Sequence, residues 1–76
     1  MLGEKQKSCL TALSRFNIAV EAYSVGRKMN PPLKGVAVTS VLRALERRGL
    51  AIRLPPKDRW GCALWVINED GRRAVY

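Results

Sequence analysis

Thr39, Ser40, Arg43, Arg47 and Arg48 fall within ten residues of one another, in the stretch TSVLRALERRGLAIRL (39–54). They form the densest group of side chains in the chain that could do chemistry. Hydroxyls and guanidiniums supply hydrogen-bond donors and positive charge, which suits recognition of anions or base edges rather than bond making. The chain has no histidine, so the commonest general base and the usual partner of a serine or cysteine nucleophile is missing. Cys9 and Cys62 lie far apart, with no Cys-x-x-Cys pair. Two thiols alone do not complete a four-ligand zinc site. A single bridge between them is open on paper, but two reduced, packed thiols are expected in a reducing compartment. Nothing here makes a catalytic constellation, a metal site or a cofactor motif, and an enzyme is not expected.

Charge narrows the partners. Fourteen Lys and Arg stand against six Asp and Glu, a net charge of +8, with a pI near 10.4. Such an imbalance attracts polyanions and repels basic surfaces. Nucleic acid is the favoured partner for a domain this basic; docking on an acidic protein and plain solubility are the alternatives. The 76 residues, 47% of them apolar and 26% charged, fit one globular domain spanning 1–76. No apolar run approaches the roughly 20 residues of a membrane span, so no membrane partner is expected. The N-terminal MLGEKQKSCL has no apolar core after its lysines, so a secretory leader is not expected and a cytoplasmic location is.

Those side chains need elements to hold them. Residues 4–16 place Cys9, Leu10, Leu13 and Phe16 at helical spacing, predicting a first helix. NIAVEAYSVGRKM (17–29) carries Val20, Tyr23 and Met29 and reads as a second, weaker helix, with Gly26 tolerated at a cost of about 1 kcal/mol. That helix must stop before Asn30-Pro31-Pro32, because a residue preceding proline avoids the helical region. From Val36 to Arg48, Val38, Val41, Leu42 and Leu45 form one stripe, with Thr39, Arg43, Glu46 and Arg47 on other faces. Gly49 then suits a left-handed helix end. LAIRL (50–54) alternates Leu50, Ile52 and Leu54 against Ala51 and Arg53, a half-buried strand closed by Pro55-Pro56. CALWVI (62–67) is a second strand, with Leu64 and Val66 on one face and Ala63, Trp65 and Ile67 making the other apolar too. PPKDRWGC (55–62) would be the basic loop of an antiparallel hairpin. Asn68 would cap a short last helix, with Glu69 and Asp70 in its first turn and Arg72 and Arg73 later.

The predicted order is helix, helix, helix, strand, loop, strand, short helix. With Val41-Leu42-x-x-Leu45-Glu46-x-Arg48-Gly49-Leu50 and INEDGRRAV (67–75), the sequence resembles the winged helix-turn-helix regulators, and in its last segment the multiple-antibiotic-resistance type. The resemblance covers roughly the C-terminal half; the first two helices match by order and length only. It implies an α+β fold of three helices, a β-hairpin wing and a short C-terminal helix. It also implies double-stranded DNA as the partner, with the third helix in the major groove and the wing along the backbone. Carried onto this chain, the recognition face is Lys34, Ala37, Thr39, Ser40, Arg43 and Arg47. The wing supplies Arg53, Lys57 and Arg59, and Arg27 and Lys28 near the end of the second helix are phosphate ligands. The implied function is a small transcriptional regulator, of phage or mobile-element type by its size, able to act as a homodimer.

Each residue also has a plainer reading. Arg43, Arg47 and Arg48 suit the solvated face of any amphipathic helix, and Lys57 and Arg59 suit an ordinary soluble loop. Trp60 fits a wing tip that stacks or inserts, or a side chain folded back over the core; Trp65 fits the core. Two features depart from the family's pattern. KGVAVTS (34–40) puts Val36, Ala37 and Val38 where polar base readers usually stand, so these three can at most touch thymine methyls. NPPLKG (30–35) is longer and stiffer than the usual tight turn. Two rivals therefore remain: a protein-interaction module docking on an acidic partner through LKGVAV (33–38) and the apolar strand, and a structured-RNA binder.

Overall fold

In the computed structural model, which describes residues 2–57, 59 and 61–75, the elements run α1 (Glu4–Ser14), β1 (Val20–Glu21), α2 (Ala22–Arg27), α3 (Gly35–Arg47), β2 (Ala51–Leu54), β3 (Leu64–Ile67) and α4 (Glu69–Val75). The three strands form one antiparallel sheet in the order β1-β3-β2. Helices α1 and α3 pack on each other, and α1 also lies on β3. Leu10 and Leu13 of α1, Val25 of α2, Val38, Leu42 and Leu45 of α3, and Trp65 of β3 are fully or almost fully buried between them. Full burial of a leucine or valine side chain is worth about 1.5–3 kcal/mol, so this small set holds the domain together.

The third helix follows its sequence pattern closely. Val38, Leu42 and Leu45 are buried and Val41 packs beside them. Gly49 adopts φ 76°, and the turn is closed by two hydrogen bonds, Gly49 N–H to the Glu46 carbonyl (2.9 Å) and Leu50 N–H to the Leu45 carbonyl (3.0 Å). This is the double closure of a Schellman turn, which satisfies carbonyls that the helix end leaves over. It aims the chain directly into β2.

The predicted second helix over 17–29 is shorter than its pattern suggested. Val20 and Glu21 instead pair with Trp65 and Leu64, and the helix begins at Ala22. The β-branched residues of IAV suit an extended chain, and the neighbouring strand supplies the hydrogen-bond partners. Starting at Ala22, the buried stripe becomes Val25, Gly26 and Met29, with Ala22 packed against the core, at i, i+3, i+4 and i+7. Tyr23, expected in the core, is 53% exposed.

The predicted phase of β2 is also reversed. Ala51 is buried, whereas Ile52 and Leu54 are 44% and 39% exposed. The register explains it: Ala51 faces Ile67 and Arg53 faces Trp65, so these four share the side that the helices cover. The large Trp65 and Ile67 take the core, leaving Ile52 and Leu54 outside with their partners Val66 and Leu64.

Asn68 does what its position implied, and more. Its Oδ1 accepts the Gly71 N–H (2.7 Å), capping α4, while its Nδ2 donates to the Gly49 carbonyl (2.7 Å). One side chain thus ties the start of α4 to the end of α3. Asn68→Ala removes both bonds, and chemical denaturation should show a loss of about 1–2 kcal/mol.

Both cysteines are free, and the expectation of two packed thiols holds for Cys9 alone; Cys62 is exposed. Burial pushes the Cys9 thiol up to about 12, which keeps it protonated and unreactive. A thiol reagent should therefore modify one cysteine in the native protein and two after denaturation. Because burial holds the folded thiol above its ordinary value of 9.0, the stability tied to this neutral thiol is intact below about pH 9 and is lost as pH rises towards 12.

Candidate nucleic-acid interface

With Val38, Leu42 and Leu45 turned inward, α3 presents Val36, Ser40, Arg43 and Arg47 to solvent. These lie at i, i+4, i+7 and i+11, one face of the helix. An open groove of about 570 Å³ runs along this face, lined by Val36, Thr39, Ser40 and Arg43 of α3, Ala22 and Tyr23 of α2, Arg53 of β2, and Cys62 and Ala63 before β3. The groove brings two sequence-predicted cations, Arg43 and Arg53, to one surface with two sequence-predicted hydroxyls, Thr39 and Ser40. Arg53 reaches it because its register opposite Trp65 turns it to the helix side of the sheet.

Thr39 is less available than its position suggests. Its Oγ1 donates to the Gly35 carbonyl one turn back (2.8 Å), so only its accepting lone pairs and the methyl group remain for a ligand. Ser40 and Arg43 are exposed. Lys34 is the backbone N-cap of α3, its carbonyl accepting the Val38 N–H (3.0 Å), and no side chain caps that helix start. The first turn therefore keeps N–H groups without a capping side chain beside an exposed lysine, an arrangement open to a phosphate.

The remaining candidates are spread around this face. Arg47 is exposed in the last turn of α3, and Ala37 is exposed next to Val36, outside the groove lining. Lys57 is exposed and lies over a shallow depression with Glu21, Ser24 and Gly61. Arg59 is exposed in the same loop. Arg27 ends α2, exposed. Lys28 borders a different depression along α1, with Lys7 and Arg15, so it is not gathered with Arg43 and Arg53. Trp60 lies outside the described residues. Among the described residues no group of three His, Cys, Asp or Glu comes together, and no helix is long and apolar enough to cross a membrane.

The geometry decides the architecture. Helix α3 follows α2 across the 28–34 connection and leads through Gly49 into the β2–β3 hairpin. A crystal structure of a probable transcriptional regulator from Pseudomonas aeruginosa superposes on it with a TM-score of 0.76, covering 97% of this chain at 22% identity. The fold is a winged helix-turn-helix. The match covers 53% of that protein's chain, so this winged helix spans about half of its length. The sequence matches no family model, and no curated protein matches it.

Within the winged helix, Tyr23, Cys62 and Ala63 line the groove without having been expected there. The spacing Ala22-x-x-Val25-Gly26-x-x-Met29 could have placed Tyr23 outside the core. No local pattern marks Cys62 and Ala63, because their position depends on the hairpin's register.

Proposed function

We propose that this winged helix binds duplex DNA and regulates transcription, with α3 in the major groove and the hairpin loop on the backbone. The observation that carries the reading is the convergence of Arg43 from α3 and Arg53 from β2 on one groove, in a chain of net charge +8. Arg43 and Ser40 are the base-edge readers, with Thr39 contributing as an acceptor. Lys34, Arg47, Arg53, Lys57 and Arg59 are backbone contacts, which set affinity and make it salt-dependent. Arg27, and more remotely Lys28, extend the positive surface. The reading involves no catalytic step and no cofactor, and it places the protein in the cytoplasm. An accessory regulator of phage or mobile-element type is its finer form, to be tested by the sites the protein selects from genomic DNA. The likeness to the multiple-antibiotic-resistance type rests on the acidic, glycine-containing start of α4, Glu69-Asp70-Gly71.

A second reading has an observation of its own. Ile52, Leu54, Leu64 and Val66 form an apolar patch on the outer side of the sheet, away from the core. Such a patch suits a protein partner or a second copy of the chain. Of the LKGVAV segment, by contrast, Val38 is buried and Leu33 packs against the core, leaving only Val36 and Ala37 as exposed apolar side chains.

Amide chemical-shift mapping with a mixed-sequence 20-base-pair duplex separates the two. DNA binding predicts shifts at 34–43, Arg53 and 57–63. Shifts absent from α3 would contradict the proposal and turn attention to the outer sheet face.

A further inference from the structure

Val36 is 87% exposed in the first turn of α3, the most exposed large apolar side chain among the described residues. A β-branched residue there lowers helix propensity and buries nothing, so the fold does not account for it. Tyr23, 53% exposed, lines the same groove, and Ala37 is exposed beside Val36. With the Thr39 donor engaged at the Gly35 carbonyl, the N-terminal end of the helix offers methyl groups and an aromatic ring where a groove-reading helix usually offers polar contacts. The 5-methyl group of thymine is the apolar feature on the major-groove edge of a base pair. The cations Arg43 and Arg53 in the groove, with Lys34 preceding the helix, make the surroundings complementary to a polyanion that carries such a methyl group.

We propose that Val36, flanked by Tyr23 and Ala37, reads thymine by its 5-methyl group and makes this a specificity-determining residue. The inference rests on the DNA-binding reading and adds to it what the binding site contains. Arg43 follows Val36 by seven residues, about 10 Å along the helix axis. The thymine step and the step read by Arg43 should therefore lie about three base pairs apart.

Deoxyuridine keeps every hydrogen-bonding group of thymine and lacks only the methyl, so it isolates the contact. A duplex selected from a random 20-base-pair library is remade with each thymine replaced singly by deoxyuridine, and binding is read by fluorescence anisotropy. One or two positions should lose about fourfold in affinity, the equivalent of about 0.8 kcal/mol for one buried methyl group. Val36→Ala, which leaves the core untouched because Val36 is exposed, should bind the thymine and deoxyuridine duplexes alike. Equal affinity of the native protein for every substituted duplex overturns the proposal while leaving DNA binding intact. A deoxyuridine effect that persists unchanged in Val36→Ala also overturns it, since the methyl would then act through DNA shape. No binding to any duplex removes the DNA reading itself, and this inference with it.

Discussion

Gly26→Ala should lose about 3 kcal/mol or more of unfolding free energy, the upper range for overpacking a filled core. A Cβ at this position would run into the Leu33 carbonyl oxygen and lie 2.6 Å from the Val38 Cγ2. The obstructing carbonyl has little freedom to move, because the Leu33 N–H donates back to the Gly26 carbonyl (3.2 Å). Relief therefore means separating α2 from α3, which shifts the helix that carries the proposed interface. A domain of this length has about 4–11 kcal/mol of stability in total, so the loss should appear as a large drop in the urea midpoint. Gly35→Ala is the matching control. Nothing lies within 4 Å of its added Cβ, and alanine in the first helical turn should leave stability unchanged or slightly raised. Similar small effects from both substitutions would contradict the close crossing of the two helices.

The second large effect concerns binding. The double substitution Arg43→Ala with Arg53→Ala removes both cations from the groove and should cost about 2–4 kcal/mol of duplex affinity, roughly 30- to 1000-fold. Neither side chain is part of the core, so the melting temperature should barely move. Arg43→Ala alone should also relax preference at one or two base pairs, whereas Arg53→Ala alone should weaken all duplexes alike. Arg73→Ala controls for bulk charge: it removes one positive charge from α4, where Arg73 pairs with Glu69 (2.9 Å) and Asp70 (3.3 Å), and should leave binding nearly unchanged. A loss from Arg73→Ala equal to that from Arg53→Ala alone would mean that net charge alone drives the association.

What could be read from the sequence was what local chemistry determines. The Val38-Leu42-Leu45 stripe, the Gly49 turn and the Asn68 cap each depend on residues within a few positions, and each is present in the structure. What escaped depends on residues far apart in the chain. Strand β1 exists because Val20 and Glu21 meet Trp65 and Leu64, and no two-residue pattern announces that. The phase of β2 read from its own alternation was reversed because both faces of β3 are apolar and Trp65 took the core. Gly26 looked like a tolerated defect in a helix, yet an added Cβ there would meet the Leu33 carbonyl and the Val38 side chain of α3. For the candidate site, helix periodicity alone puts Arg43 and Arg47 on one face of α3, away from Val38, Leu42 and Leu45. That Thr39 is engaged by its own helix, and that Arg53 turns towards Arg43, required the assembled structure.

The central claim is that the Arg43–Arg53 face is a duplex-binding surface. Fluorescence anisotropy of the pure protein with a random-sequence duplex, titrated from about 50 to 200 mM salt, tests it most directly. Four or five phosphate contacts predict a log–log slope of about −4, a loss of about 250-fold over that range. Absence of binding at micromolar protein in 50 mM salt, or binding indifferent to salt, would contradict the claim.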